Sequence, residues 1–407
     1  MTASAPEPRF STCCVIVNYR TPIDMLAQCL DSITGTEAEN ECRIVLVDNA
    51  SGDGVFDQVR RRYPEVRIIE MPGNAGFAAA VNRGIEEALE PYILLLNTDA
   101  VLTPGALESM ESALQAAGPD CAGIAPKMMS SAHEGFIDAV GTVMPASGAS
   151  FNRGIGQCDL GQYDHREEVF GTCFGASLLR RGLFDDSEVG PLHEGYFLYF
   201  EDSDWCLRAR SQGYRFLVEP GAVVHHLHSG VTRNEALAFK YRLIELNTLK
   251  VVVRNFESRR QVAGIVFARC ARLLARTFIR RKFIMANLST LASFLAGLPQ
   301  LLKERKELGQ RRIASDRKVF ELAKGESAYF DTVEYRPDRC LDSLIDTYLH
   351  LLKIGKDPDH GRVLAALYGL QQQSMAGKKL VISEEMRTLL DEQPECVKSM
   401  LGMITAG

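Results

Sequence analysis

YILLLNTDAVLTPGAL, residues 92 to 107, decides the fold: a Leu-rich apolar run stops at Asn97, Thr98 and Asp99, and a Pro-started helical segment follows. A short, unbroken apolar run fits a strand buried on both faces, as in a parallel sheet covered by helices. Upstream, CCVIVN (13–18), CRIVLVD (42–48) and VRIIEM (66–71) repeat the pattern between longer amphipathic stretches. This alternation predicts βα units on a mostly parallel sheet with helices on both faces. Polar residues gather where each run stops: Asn18 and Tyr19, Asp48 and Asn49, Gly73 and Asn74, Asn97 to Asp99. In an open α/β sheet the ligand crevice lies outside the carboxyl ends of the strands, so the four runs point to one site.

The 407 residues, 46% apolar and 24% charged, support a large core and exclude extensive disorder. A formal charge of -6 argues against a nucleic-acid partner. The 11 cysteines are scattered and contain no CxxC, which disfavours both a zinc site and a disulfide framework and fits a reducing cytosol. The opening MTASAPEPRFST lacks the basic and apolar regions of a signal peptide, so a cytoplasmic setting is expected.

Residues 128–170 have weak periodicity and predict a hairpin or mobile loop region beside the crevice. Order resumes at FGTCFGASLLRR (170–181), then the helix-like EDSDWCLRARSQG (201–213) with Gly213 as its stop. Strand-like YRFLVEP and AVVHHLH follow, then a helix over 234–255. Between Ser258 and Arg312 there are 13 Lys or Arg against 2 acids, and Phe283 to Leu302 is a run of 20 uncharged residues. Its Asn, Ser, Thr, Pro and Gln residues dilute it for a membrane span, so basic interfacial helices are expected. An ordinary helical hairpin packed on the core is the competing reading. The last stretch has helical spacing and no chemical motif; oligomer contacts or partner binding are uses open to it. The expected organisation is thus 1–255, 256–312 and 313–407.

Asp99, leaving a strand end, can reach a divalent cation, and its oxygen ligand suits Mg2+ or Mn2+ shared with substrate phosphates. It can equally start a turn. Asp48, Asn49 and Ser51 can hydrogen-bond a base or ribose, or simply form an Asx turn. Asn74 and Asn82, in GNAGFAAAVNRGI, offer amide contacts near a helix start that favours anions. Glu201 and Asp202 follow a run of aromatic residues; one of them, desolvated, can serve as a general base, or both can complement the helix dipole. Of His225, His226 and His228, the last two share one face of an alternating strand.

Taken in order, CCVIVNYR, IVLVDNASGD, GNAGFAAAVNRGI, LLLNTDAVLTPGAL, FGTCFGASLLRR and FLYFEDSDWCLRARSQGYRFLVEPGAVVHHLHSG resemble the family 2 glycosyltransferases, particularly their rhamnosyltransferase-like branch, over about residues 12–255. The resemblance implies a GT-A fold, Rossmann-like and mostly parallel, with a C-terminal helical extension. It also implies an inverting reaction on a nucleotide-diphosphate sugar, dTDP-rhamnose or a UDP-sugar. By the same resemblance Asp48 lies near the base, Asn18, Asn49 and Asn74 line the nucleotide pocket, and Asn97 meets the ribose or orients the site. The family's DxD metal motif stands here as Asn97-Thr98-Asp99, leaving Asp99 as the metal ligand. His226 matches the family's later histidine at the metal or diphosphate, and Asp202, beside Glu201, matches the catalytic base. The acceptor expected is a glycan or lipid-linked glycan in cell-surface polysaccharide synthesis, reached from the inner membrane face through 258–312. Two other readings compete: a catalytically silent sugar-nucleotide-binding or scaffold protein, and a sugar nucleotidyltransferase. Against the latter, VIVNYRTP lacks a glycine-rich phosphate-binding opening.

Overall fold

The computed structural model describes residues 10–34, 42–185, 187–227, 237–279, 283–323, 337–355, 360–375, 380, 382, 387–389 and 392–406. Strands β1 (Thr12–Asn18), β2 (Arg43–Asp48), β3 (Arg67–Glu70) and β4 (Tyr92–Asn97) run parallel in the spatial order β4-β1-β2-β3. Their connections carry α1 (Ile23–Thr34), α2 (Val55–Arg62) and α3 (Phe77–Ile85). Burial alternates residue by residue. Cys13, Val15, Val45, Val47, Ile93 and Leu95 join one core with α3; Cys14, Ile16, Ile44, Leu46, Leu94 and Leu96 join another with α1 and α2. Double-sided burial is why these runs are unbroken in sequence. Strand order reverses between β1 and β4, so the crevice opens at Asn18 and Asn97.

Asp99 is followed by a short strand, β5 (Ala100–Leu102), before α4 (Ala106–Ala116) starts at Gly105. Next comes β6 (Cys121–Ser130), an inner strand that hydrophobic runs do not reveal because Gly123, Pro126 and Lys127 interrupt it. The 128–170 region is built of hairpins. β7 (Ile137–Ala139) lies antiparallel to β6, and β8 (Thr142–Val143) pairs with β9 (Phe151–Asn152). After β10 (Glu167–Val169) and β11 (Ala176–Arg180) come α5 (Glu201–Ser211) and β12 (Arg215–His226). The two expected strands around Pro220 are therefore one. Its register against β6 jumps from Glu219 to Val223, opposite Pro126 and Lys127, so the proline that cannot donate sits beside a bulge. The sheet order is β10-β12-β6-β11-β4-β1-β2-β3, with β5 on β12 and β7 on β6. This is the expected mixed α/β architecture. Helix α5 stops two residues before Gly213, whose φ of 96° is a left-handed turn.

Three long helices follow: α6 (Leu237–Asn255), α7 (Arg259–Ile279) and α8 (Ile284–Arg311). Leu246, Leu249 and Val253 of α6 pack with Leu273 of α7 and with Phe294 and Leu301 of α8. The chain then returns to the sheet core. The Ile313 and Ala314 N–H groups donate to the Ser211 carbonyl at 2.7 and 2.8 Å. Beyond α9 (Asp316–Val319), Phe320 meets the Phe256 ring at 4.7 Å. Residues 313–320 thus pack with the first unit rather than with the C-terminal one. Helices α10 (Pro337–Lys353), α11 (His360–Met375) and α12 (Glu395–Ala406) enclose Leu344, Leu367, Val397 and Met400 together with Phe136 and Cys158.

Candidate active site

The ends of β1 and β2 form one polar floor. Asn18 and Asp48 are register partners. Fully buried Asn18 donates through Nδ2 to Ser51 Oγ at 2.9 Å, while its Oδ1 is buried without a hydrogen-bond partner. Asp48 Oδ1 accepts the Ser51 N–H at 2.9 Å, an Asx turn that folds the loop back over the strand end. Asn49 is a clamp: its Nδ2 donates to Asn74 Oδ1 at 3.0 Å and to the Gly76 carbonyl at 3.2 Å, and its Oδ1 accepts the Ala75 N–H at 3.0 Å. Asn74 closes the same turn by accepting the Gly76 N–H. Asn82 sits elsewhere. Near the far end of α3, it exchanges hydrogen bonds of 2.9 Å with the Leu192 backbone in both directions and donates to Glu194. Its amide is thus occupied by the 192–194 stretch, more than a helical turn along α3 from Gly76.

The Asn97-Thr98-Asp99 turn is fixed from three sides. Asn97 donates its N–H to the Gly175 carbonyl at 2.9 Å, Thr98 Oγ1 meets Thr21 Oγ1 at 2.9 Å, and Asp99 accepts the Leu227 N–H through its backbone carbonyl at 3.0 Å. The pairing of β5 with β12 sets Ala100 opposite His226. His226 Nε2 consequently lies 3.2 Å from Asp99 Oδ1, while its Nδ1 lies 2.8 Å from Asp138 Oδ2. Burial opposes a charge on this ring, but the bonds to Asp138 and Asp99 push its pKa up to about 10. His225 is exposed on the opposite face, and His228 lies outside the described residues.

One carboxylate oxygen and one imidazole nitrogen converge at a strand-end crevice, and a Mg2+ or Mn2+ ion would use both by displacing the proton that Nε2 shares with Asp99. Among the described residues no group of three or more His, Cys, Asp or Glu is arranged to hold a metal. The pair therefore suits a cation that completes its shell with diphosphate oxygens and water.

The acidic pair arrives from the other side. Phe77 donates its N–H to the Phe197 carbonyl at 2.8 Å, tying the start of α3 to the aromatic loop. Tyr199 and Phe200 take φ values of 68° and 73°, left-handed conformations that disfavour bulky residues. Asn247 of α6 holds them there, donating to the Leu198 and Tyr199 carbonyls at 2.9 and 2.8 Å. Helix α5 then opens with Glu201 and Asp202. Burial, and next the Asp202 charge, push Glu201 up to about 8, and its Oε2 has no hydrogen-bond partner. Burial also raises Asp202, yet hydrogen bonds from the Ser203 N–H and hydroxyl stabilise its anion. Both carboxyls are thus shifted upward, and the hydrogen bonds that favour an anion fall on Asp202. Residues 172–175 bridge α5 to the Asn97-Thr98-Asp99 turn: Cys206 Sγ lies 3.9 Å from the Thr172 carbonyl, the Phe174 ring stands 6.2 Å from Trp205, and the Gly175 carbonyl accepts the Asn97 N–H.

Beneath it, Asp204 is fully buried and accepts from Arg208 Nε (2.9 Å), Arg254 Nη1 (2.6 Å to each oxygen), Asn255 Nδ2 (2.7 Å) and Tyr196 Oη (3.1 Å). Arg208 lies one helical turn on, at i+4, whereas Arg254 arrives from α6, 50 residues away. Asp138, Asn247 and Arg254 are the side chains that sequence reasoning missed. Asp138 lies in a weakly patterned stretch, and the other two lie on a helix chosen only for its periodicity.

A family model described as glycosyl transferase family 2 matches residues 13–187. The N-acetylglucosaminyl-diphospho-decaprenol L-rhamnosyltransferase of Mycobacterium tuberculosis is 28% identical, the match covering 49% of this chain and 71% of that protein. An uncharacterized glycosyltransferase of Bacillus subtilis, YwdF, is 30% identical over 54% of this chain and 76% of its own length. A looser overlap, at a TM-score of 0.47 and 13% identity, joins 60% of this chain to 48% of a GalNAc-T7 chain crystallised with UDP, GalNAc and Mn2+. On the family model and the two sequence relatives together, the chain belongs to the family 2 glycosyltransferases and is similar to their rhamnosyltransferase-like members.

Proposed function

We propose that the protein is an inverting, metal-dependent glycosyltransferase that moves a sugar from a nucleoside-diphosphate donor to a hydroxyl of a lipid-linked glycan. The observation that supports this reading is the Thr172–Gly175 segment, which touches both helix α5, headed by Glu201 and Asp202, and the Asn97-Thr98-Asp99 turn. Asp202 accepts the acceptor hydroxyl's proton as that oxygen bonds to the anomeric carbon and the bond to the diphosphate oxygen breaks. One displacement inverts the configuration. Glu201 keeps its own proton and leaves Asp202 as the base. Asn18, Asp48 and Ser51 form the floor for the nucleoside, and Asn49 and Asn74 shape its wall. Asp99 and His226 would hold the cation, which when bound offsets charge growing on the departing diphosphate.

The mycobacterial relative is named as a rhamnosyltransferase whose acceptor carries a diphospho-decaprenol, and dTDP-rhamnose with such an acceptor is the first pair to assay; UDP-sugars come next. Work at the inner membrane face is supported by α7 and α8. They leave Phe267, Phe278, Ile279 and Met285 at least 77% exposed among Arg and Lys residues, a composition suited to an anionic bilayer surface. By length and composition α8 could also cross a membrane, but its packing on α6 and α7 favours an interfacial position.

Transfer and donor hydrolysis measured with Mg2+ or Mn2+ test the proposal. Folded Asp202→Asn is expected to lose about 10²–10⁴-fold in turnover while still binding donor. Near-normal turnover would remove Asp202 from its role, and no transfer or hydrolysis from any nucleotide sugar would favour a silent binding protein.

A further inference from the structure

A histidine that ligates a cation presents one ring nitrogen and must have the other held, since a half-turn of the ring puts carbon where the ligand nitrogen belongs. His226 meets this requirement with both nitrogens facing carboxylates on opposite sides: Nε2 toward Asp99 at 3.2 Å and Nδ1 toward Asp138 at 2.8 Å. The three residues are 8%, 4% and 3% exposed for Asp99, His226 and Asp138, so water has little access to either contact.

The support behind Asp138 is rigid. Its strand, β7, pairs with β6, which pairs in turn with the His226 end of β12. The flanking backbone is tied on both sides: Ile137 donates to Gln157 and accepts from Gly156, and Val140 donates to Arg153, each at 2.9 Å. Ile137 and Ala139 on either side of Asp138 are both buried, in different cores, at a register shift between β6 and β7.

We propose that Asp138 is a positioning residue: it accepts the Nδ1 hydrogen of His226 and thereby aims Nε2, beside Asp99, at the cation seat. The inference rests on the metal reading of the proposed function and adds the residue that makes a seat of only two protein donors selective in geometry. If Asp138 served only to neutralise a buried histidine, its removal would change stability and leave metal affinity in the folded protein alone.

The test is Mn2+ binding by the full chain, followed by the loss of the free-ion electron paramagnetic resonance signal at saturating UDP or dTDP, with no sugar present. Asp138→Ala is expected to weaken Mn2+ binding by roughly 10–100-fold. Asp138→Asn, whose carbonyl oxygen can still accept from Nδ1, should recover most of it. Wild-type affinity in folded Asp138→Ala overturns the inference alone; failure of the wild type to take up Mn2+ overturns the metal reading and the inference with it. Should the alanine variant not fold, histidine-selective 15N spectra of the wild type with Mg2+ and nucleotide decide the matter. A proton on Nδ1 of His226 supports the role, and a proton on Nε2 refutes it.

Discussion

Asp204→Asn isolates the buried ion cluster beneath the acidic pair. The substitution keeps volume and removes one charge, leaving Arg208 and Arg254, both nearly buried, facing an amide. One former carboxylate oxygen becomes an NH2, which meets N–H donors from Arg254 and, on the other side, Arg208 or Asn255. Adding separate values for each lost bond would overcount, because one carboxylate serves them all. The relevant measure is the cost of breaking a buried pair from one side, about 3–5 kcal/mol. Trp205, the only tryptophan, is fully buried next in sequence, so its fluorescence in a urea titration reports on this core. Burial alone would raise the Asp204 pKa, but Arg254 and then Arg208 overcome that and hold it well below the usual carboxylate range. A depressed folded-state pKa gives stability that is present above the unfolded value and is lost as pH falls. The difference between wild type and variant should therefore shrink in acid. A loss below about 1 kcal/mol at neutral pH, the scale of a surface pair, would refute the reasoning.

Glu201 has the opposite sign: its pKa rises from 4.5 to about 8, so across that interval the folded state keeps a proton that the unfolded chain has lost, and stability falls as pH rises. Urea midpoints across this interval should show the decline in wild type and a flatter line for Glu201→Gln; parallel lines would contradict it. At Gly84, an added Cβ would fall inside contact distance of Val15 Cγ1 and about 3.1 Å from Val47 Cγ2. Overpacking of about 1–3 kcal/mol should outweigh a helix-propensity gain of at most about 1 kcal/mol, so Gly84→Ala is expected to melt lower, and a higher melting temperature would show that α3 can shift off the sheet. Flotation with phosphatidylglycerol vesicles should carry the protein upward, with the Phe267→Glu, Phe278→Glu double variant left behind; equal flotation of both would clear this face of membrane contact.

The first half of the sheet was legible because β1, β2 and β4 are buried on both sides and end in polar residues, so composition marks both the strand and its carboxyl end. β6 was not. It tolerates Pro126 only because β12 bulges opposite, and Lys127 only because Asp159 and Asp164 neutralise it, compensations that lie 32 or more residues away. The site divided the same way. Asp99, His226 and Asp202 stand in compact motifs, whereas Asp138 reaches His226 across 88 residues with no local pattern to announce it. Asn82 stands among glycines with no local sign that the Leu192 backbone, 110 residues on, takes up its amide.

Asn247 links two parts of the chain that composition separates. The same helix that restrains the unfavourable turn at Tyr199 and Phe200 is covered on its outer side by α7 and α8. Cutting the chain after residue 255 would strip Leu246, Leu249 and Val253 of their cover and take away the Arg312 bond to the Asn255 carbonyl. The entry to α5 would then relax toward ordinary backbone angles and carry Asp202 out of line. A shortened protein designed on sequence boundaries would keep every motif and lose the cover of α6, so a stable fragment is expected to extend at least through Phe320.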